Sequence, residues 1–197
     1  MSKGLGCVIA LAVIVLVLVL WGVGQYNSLV TSQENVNTAW AQVQNVYQRR
    51  MDLIPNLVAT VKGVAEFERK TYTDVAEARA KAGQITISPE LLKDPAAFQR
   101  FEQAQGQLSG ALSRLLAVAE NYPQLKANQN FLDLQSQLEG TENRIAVERR
   151  KFNEAAQEYN TRLRKFPTVL VARMMGFTQR PYFQAAEGAE KAPEVHF

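Results

Sequence analysis

The residues best spaced for chemistry lie between positions 141 and 163. Glu142 and Arg149 are seven residues apart, and so are Asn153 and Asn160, each asparagine following an aromatic residue. Seven residues make about two helical turns, so each pair shares a face. Thr141, Glu142, Ile145, Arg149, Phe152, Ala156, Tyr159 and Leu163 occupy the inner stripe of that helix or its edge. Arg49, Arg50 and Asp52 sit beside the DLIPNL turn of an earlier helix. The favoured reading is a structural polar network of Arg49, Arg50, Asp52, Glu142, Arg149, Asn153 and Asn160. In it Glu142 pairs with Arg49 or Arg50, and Arg149 pairs with a carboxylate. Such networks fix register more than they add stability. The plainer readings are solvated ion pairs, worth about a few tenths of a kcal/mol each, and a ligand or partner site.

Catalytic and metal chemistry find little support. The chain has one cysteine, Cys7, and one histidine, His196. Di-iron helical bundles need a Glu-x-x-His pair, and His196 stands at the extreme C-terminus. Paired carboxylates hydrolyse glycosides, but a narrow helical bundle offers a sugar no cleft. The glycine-containing stretches GLGC and GVG fall in an apolar run, and GQITIS lacks the lysine of a phosphate loop. The expectation is no enzyme, no cofactor and no metal.

The elements that position these residues follow from the apolar pattern. Of 197 residues, 47% are hydrophobic and 21% charged, which excludes a disordered chain. From Leu5 to Val23 no charged residue occurs. As a helix, that run spans about 28 Å, close to the hydrocarbon thickness of a bilayer. Trp21 and Tyr26 suit an interfacial belt, and Lys3 places the N-terminus in the cytoplasm by the positive-inside rule. The run is too long for the apolar core of a cleaved signal peptide, and Cys7 precedes it rather than ending it, against a lipoprotein. The formal net charge is +3 with the signs interspersed, so no basic stripe for nucleic acid exists.

Beyond residue 25 the apolar period is helical. Val36, Trp40, Val43 and Tyr47 share a face, and the pattern resumes at Leu57, Val61 and Val64, then Tyr72, Val75 and Arg79. Pro55 either kinks one long helix or opens a second one, a break being the favoured reading, and Gly83 marks a helix end. Ser88-Pro89 and Asp94-Pro95 predict capped helix starts. A stripe at Phe98, Phe101, Gln105, Leu108, Leu112, Leu115 and Ala119 marks the next helix. Gly106-x-x-x-Gly110 within it predicts close packing on a neighbouring helix, with self-association as the alternative. A final long helix runs to Pro167, with Arg162, Arg164 and Lys165 in its last turn, where they complement the helix dipole. The predicted fold is all-α: one N-terminal transmembrane helix, residues 1–25, followed by an antiparallel four-helix bundle, residues 26–166. Residues 167–183 read as an apolar segment packed on the bundle base, with a membrane-surface or subunit contact through Phe166, Leu170, Met174, Met175 and Phe177 as the alternatives. Residues 184–197 read as a flexible tail.

Several segments together resemble the LemA family: YNSLV at 26–30, AWAQVQNVYQRRMDLIPNLVATVKG at 39–63, AEARAKA at 76–82, the stretch from Asn121 to Pro167, then MGF and YF. Phe152, Val64 and Phe67 depart from residues common in that family. The resemblance implies a bacterial membrane-anchored protein with an extracytoplasmic helical bundle, and it implies no reaction. The expected role is a self-associating scaffold on the outer face of the cytoplasmic membrane. Its expected partners are the membrane and further copies of itself. The alternative role is an adaptor for a membrane protease or another envelope protein, and a carboxylate-based hydrolase is the remote third.

Overall fold

The computed structural model describes residues 3–64 and 68–184, and it is all-helical there. Helix α1 runs unbroken from Lys3 to Lys62. At about 1.5 Å per residue that is ~90 Å. Its first third, Leu5–Val23, is not buried by any described residue and is apolar enough to cross a membrane. Helix α2 spans Arg69–Gly83, α3 Pro95–Ala119, α4 Pro123–Lys126, α5 Gln129–Arg164 and α6 Thr168–Met174, with a single 3-10 turn at Pro89–Lys93.

The chain runs up α1, down α2, up α3 and down α5. Lys62 lies over the Tyr72 ring and Arg79 bonds Met51, which makes α1 and α2 antiparallel. Asp74 faces Arg114 across α2 and α3, and Ser28 faces Arg162 across α1 and α5. All seven residues of the predicted α3 stripe are buried. Asp94 caps that helix by accepting from the Ala96 and Ala97 amides at 2.9 and 3.1 Å. Asn128 does the same for α5 through the Phe131 amide.

The predicted break at Pro55 does not occur, because α1 continues through it to Lys62. A proline inside a helix leaves the carbonyl four residues earlier without its donor. Here that carbonyl belongs to Met51, and Arg79 Nε of α2 donates to it at 3.1 Å. The chain turns instead at Gly63. Gly83 closes α2 as its last helical residue, and Gln84 follows with φ −74, so no left-handed cap is used. Gly106 and Gly110 do not pack closely: a Cβ at either would meet nothing within 4 Å.

Two apolar clusters fill the bundle. The one nearer the apolar end of α1 joins Leu29, Val36, Trp40 and Tyr47 to Phe98, Phe101, Phe152, Tyr159 and Leu163. The other joins Ile54, Leu57 and Val61 to Val75, Leu108, Leu115, Phe131 and Leu138. Arg50 lies between them.

After α5, the short α6 lays Val171 and Ala172 against the base of the first cluster. Gly176, with φ +73, then ends it. The Phe177 amide reaches back to the Ala172 carbonyl at 3.0 Å and the Gly176 amide to Arg173 at 3.4 Å, a Schellman closure that requires the left-handed residue. Residues 177–184 then climb the bundle in extended form, away from the apolar end of α1. This strap buries Arg180 and Phe183, so Phe183 belongs to the core and not to a surface segment. Gln184, placed in the expected tail, is bonded to the bundle at both its amide and its carbonyl. The rest of that expected tail lies outside the described residues.

The Pro55 compensation is testable by a double-mutant cycle in thermal unfolding. Arg79→Met should cost about 1 kcal/mol in the natural chain, the worth of one hydrogen bond. In a Pro55→Ala background, where residue 55 supplies its own N–H, the cost should fall to near zero.

Candidate functional site: the groove between α3 and α5

The closest helix pairs are α1–α5, α2–α3 and α1–α2, while α3 and α5 face each other across a wider gap. The resulting groove has three levels. The level nearest the apolar end of α1 holds the strap. The middle level is a cleft of about 390 Å³ lined by Arg50, Glu102, Gln105, Gly106, Glu142 and Arg149 among others, with Gln184 at its lip. The far level is a cleft of about 520 Å³ between Ser109, Leu112 and Leu116 on α3 and Leu138, Glu142 and Asn143 on α5.

The strap is held through its backbone. Asn160 Nδ2 donates to the Arg180 carbonyl at 2.8 Å, and Asn160 Oδ1 accepts from the Arg180 amide at 2.8 Å. Asn153 repeats the pattern on Phe183, with both bonds at 2.9 Å. A carboxamide side chain offers the same donor and acceptor as a peptide group, so each asparagine acts as one rung of a β-ladder. The spacing fits. Seven residues of α5 rise about 10.5 Å, and three extended residues cover ~9–10 Å. The Gln184 amide donates to Glu102 Oε1 at 3.1 Å, and its carbonyl accepts from Arg149 Nη2 at 3.0 Å.

The strap's side chains complete the fit. The Phe183 ring lies 4.9 Å from Phe98, 5.5 Å from Phe152 and 6.1 Å from Trp40, with the Arg149 guanidinium 4.5 Å above it. The Arg180 guanidinium lies over the Tyr159 ring at 5.8 Å. Phe177 meets Tyr26 edge-on at 5.7 Å. Phe177, Arg180 and Phe183 are the inward residues, so the strap turns every third side chain toward the bundle. The opposite side of the aromatic cluster is closed by the 84–94 loop. There Trp40 Nε1 donates to the Ser88 carbonyl at 3.2 Å and Gln44 Nε2 to the Ile87 carbonyl.

At the middle level Arg50 is 1% exposed. Its Nη1 donates to Ser109 Oγ at 2.7 Å and to Glu142 Oε1 at 2.6 Å, and its Nη2 to Gln105 Oε1. Tyr47 lies 5.1 Å from it, ring to guanidinium. Its Nε has no hydrogen-bond partner among the described residues. The Glu142 side chain is 41% exposed, so water reaches that partner from the groove. Burial pushes the Tyr47 phenol above its usual 10.0, against Arg149 and Arg50. The Glu102 carboxyl is also pushed up by burial, against the Gln184 amide and Arg149, its partner at 3.3 Å.

The structure therefore joins most of the residues singled out from sequence. Arg50, Glu142, Arg149, Asn153 and Asn160 converge on the groove. Arg49 is exposed, and Asp52 accepts from Gln48 at 2.8 Å on the outer surface of α1, so neither joins the network. The deciding signal was present in the chain. From Val36 to Val61 the buried α1 residues 36, 40, 43, 47, 50, 54, 57 and 61 form a four-three repeat, with Val58 the one buried residue beside it, and the repeat includes Arg50 and excludes Arg49. Gln105, Ser109, Glu102 and the strap partners Arg180 and Phe183 were not recognised as site residues. Gln105 lay in the α3 stripe, and Arg180 and Phe183 share a spacing of three. Phe166, Leu170, Met174 and Met175 are exposed on and beside α6, whereas Phe177 turns inward to Tyr26. No group of three potential metal-ligating side chains occurs among the described residues.

Comparison with known proteins places this arrangement in a lineage. The pattern of the LemA family matches residues 39–197. The chain belongs to the LemA family. Magnetosome protein MamQ 2 of Paramagnetospirillum magneticum is 30% identical over 176 residues, which cover 81% of this chain and 65% of that protein. The chain thus spans a little under two thirds of that relative's length. Magnetosome protein MamQ of Magnetospirillum gryphiswaldense is 29% identical, over 81% of this chain and 64% of its own. Protein LemA of Metamycoplasma hominis is 26% identical, over 84% of this chain and 71% of its own. None of these names denotes an enzyme. The segments that carry the family resemblance contain Trp40, Arg50, Glu142, Arg149, Asn153, Asn160, Gly176 and Phe183, residues that build the groove and seat the strap.

The position of Arg50 in this LemA-family bundle yields a comparison of neighbours. Arg50→Ala should cost about 3 kcal/mol of unfolding free energy, through a cavity and unpaired groups left in the core. Arg49→Ala should stay within about 0.5 kcal/mol of the natural chain. Glu142→Ala should fall between them, since its side chain is partly hydrated. Denaturant unfolding of the three variants checks the order.

Proposed function

We propose that this LemA-family chain is a non-enzymatic, membrane-anchored scaffold that acts by holding extended polypeptide in the α3–α5 groove. The observation that carries this reading is the strap. Asn153 and Asn160 grip its backbone amides and carbonyls. The same groove continues past Gln184 through two further clefts that no described residue fills. Recognition through backbone groups, with side-chain pockets at fixed intervals, is a general mode of peptide binding.

In this proposal Leu5–Val23 crosses the bacterial cytoplasmic membrane once, with the N-terminus in the cytoplasm and the bundle outside. The partner proposed is a second copy of the chain. Each copy carries clefts that no described residue fills, as well as an extended strap of the kind such a groove accepts. Anchoring confines all copies to one membrane plane, which raises their effective concentration for each other. The clefts are flanked by Gln99, Gln103, Gln105, Ser109, Ser113 and Asn143, which suit backbone hydrogen bonding better than bond-breaking chemistry.

Native mass measurement of the full chain, extracted in mild detergent, tests the proposal. A mass of at least twice the 22.0 kDa chain is expected. Gly106→Trp, which places a ring in the cleft where no atom lies within 4 Å of the new Cβ, should reduce that mass to one chain while leaving helicity unchanged. A natural chain that stays monomeric at high concentration rejects self-association. An assembly that survives Gly106→Trp rejects the groove as its contact.

A further inference from the structure

The base of the bundle carries an apolar surface that the fold leaves bare. Beyond the N-terminal apolar run, the four most exposed large apolar side chains among the described residues are Phe166 at 80%, Met174 at 75%, Leu170 at 58% and Met175 at 54%. All four belong to α6 or its two ends. Leu170 and Met174 are four apart and share one side of α6, turned from the buried Val171 and Ala172, and the exposed Phe166 precedes the helix by two residues. Because Val171 and Ala172 pack upward into the core, the exposed side is turned away from the bundle.

The height of α6 is fixed by two contacts to α1. Thr168 Oγ1 donates to Gln25 Oε1 at 2.8 Å, and Phe177 packs on Tyr26. Gln25 and Tyr26 follow the end of the apolar run, Val23, by two and three residues, which is about 3–5 Å along the helix. The interfacial layer on each side of a bilayer's hydrocarbon core is about 5–8 Å deep. The bare face thus lies at the level of that layer. The cations Arg164, Lys165 and Arg173 are exposed around it, a combination of apolar face and basic rim that suits lipid acyl chains beneath anionic headgroups.

We propose that α6 is a second membrane contact, seated in the interfacial layer of the bilayer crossed by α1. This rests on the reading of Leu5–Val23 as the membrane span. Two contacts on one bundle, one spanning and one interfacial, fix its tilt as well as its position. A single helical stalk would leave the groove free to swing. With α6 seated, the groove holds a set orientation to the membrane surface.

Site-directed spin labelling of the full chain tests this. Cys7→Ser is combined in turn with Val15→Cys, Leu170→Cys, Met174→Cys or Gln157→Cys, and reconstituted in phosphatidylethanolamine–phosphatidylglycerol vesicles. Leu170 and Met174 are exposed, so labels there leave the core intact. Labels at 170 and 174 should be reached by oxygen and shielded from a water-soluble nickel chelate, approaching the label at 15 and differing several-fold from the label at 157. They should show no dipolar broadening. Nickel access at 170 and 174 equal to that at 157 overturns the proposal. Shielding with strong dipolar broadening also overturns it, in favour of a contact between copies. Nickel access at 15 overturns the span itself, and with it the proposal, and so identifies which reading failed.

Discussion

A guanidinium in a helical core needs partners for its donors, and the two terminal nitrogens of Arg50 find them on two helices at once. Gln105 and Ser109 reach it from α3, and Glu142 from α5. A side chain of that size, bonded to both, acts as a spacer between α3 and α5. It also divides the apolar core into its two clusters. Replacing buried ion pairs by apolar residues is often neutral or stabilising, so the pair is a poor means of adding stability. Its structural consequence is register: α3 and α5 stand at a fixed height and a fixed separation. The groove exists because that separation exists.

What fills the groove follows from the spacing. Close to the apolar end of α1, α3 has only begun, and α1 and α5 alone would leave Trp40, Phe98, Phe101 and Phe152 open on one side. The strap covers them with Phe183. Its backbone needs donors and acceptors there, because the helices have satisfied their own. Asn153 and Asn160 supply them at the interval an extended chain requires. The Gly176 turn makes the route possible by reversing the chain from α6 into the strap. Past Gln184 the same geometry continues with no occupant among the described residues.

How much of this was legible depends on how local the cause was. The α3 stripe, the Asp94 cap and the end of α5 before Pro167 follow from neighbours in sequence, and all three stand in the structure. Pro55 misled because the group that compensates for it, Arg79, lies on another helix, 28 residues beyond the Met51 carbonyl it bonds. The Gly106–Gly110 pair misled because small residues permit close approach without causing it. Here they border the groove. Arg50 was separable from Arg49 only by carrying the heptad through a charged position. The seven-residue interval marks the asparagine pair in the sequence. Its partners carry no such mark, because backbone groups do not show in residue identity and only the three-residue spacing of Phe177, Arg180 and Phe183 hints at them.

The central claim is that side-chain amides of α5 hold an extended backbone in the groove. Hydrogen exchange at the Arg180 and Phe183 amides of the full chain reads this directly. Both should exchange far more slowly than free peptide, and Asn153→Leu, which keeps the side-chain volume but removes both bonding groups, should release Phe183. Exchange at these two amides in the natural chain as fast as in an unstructured peptide would contradict the account.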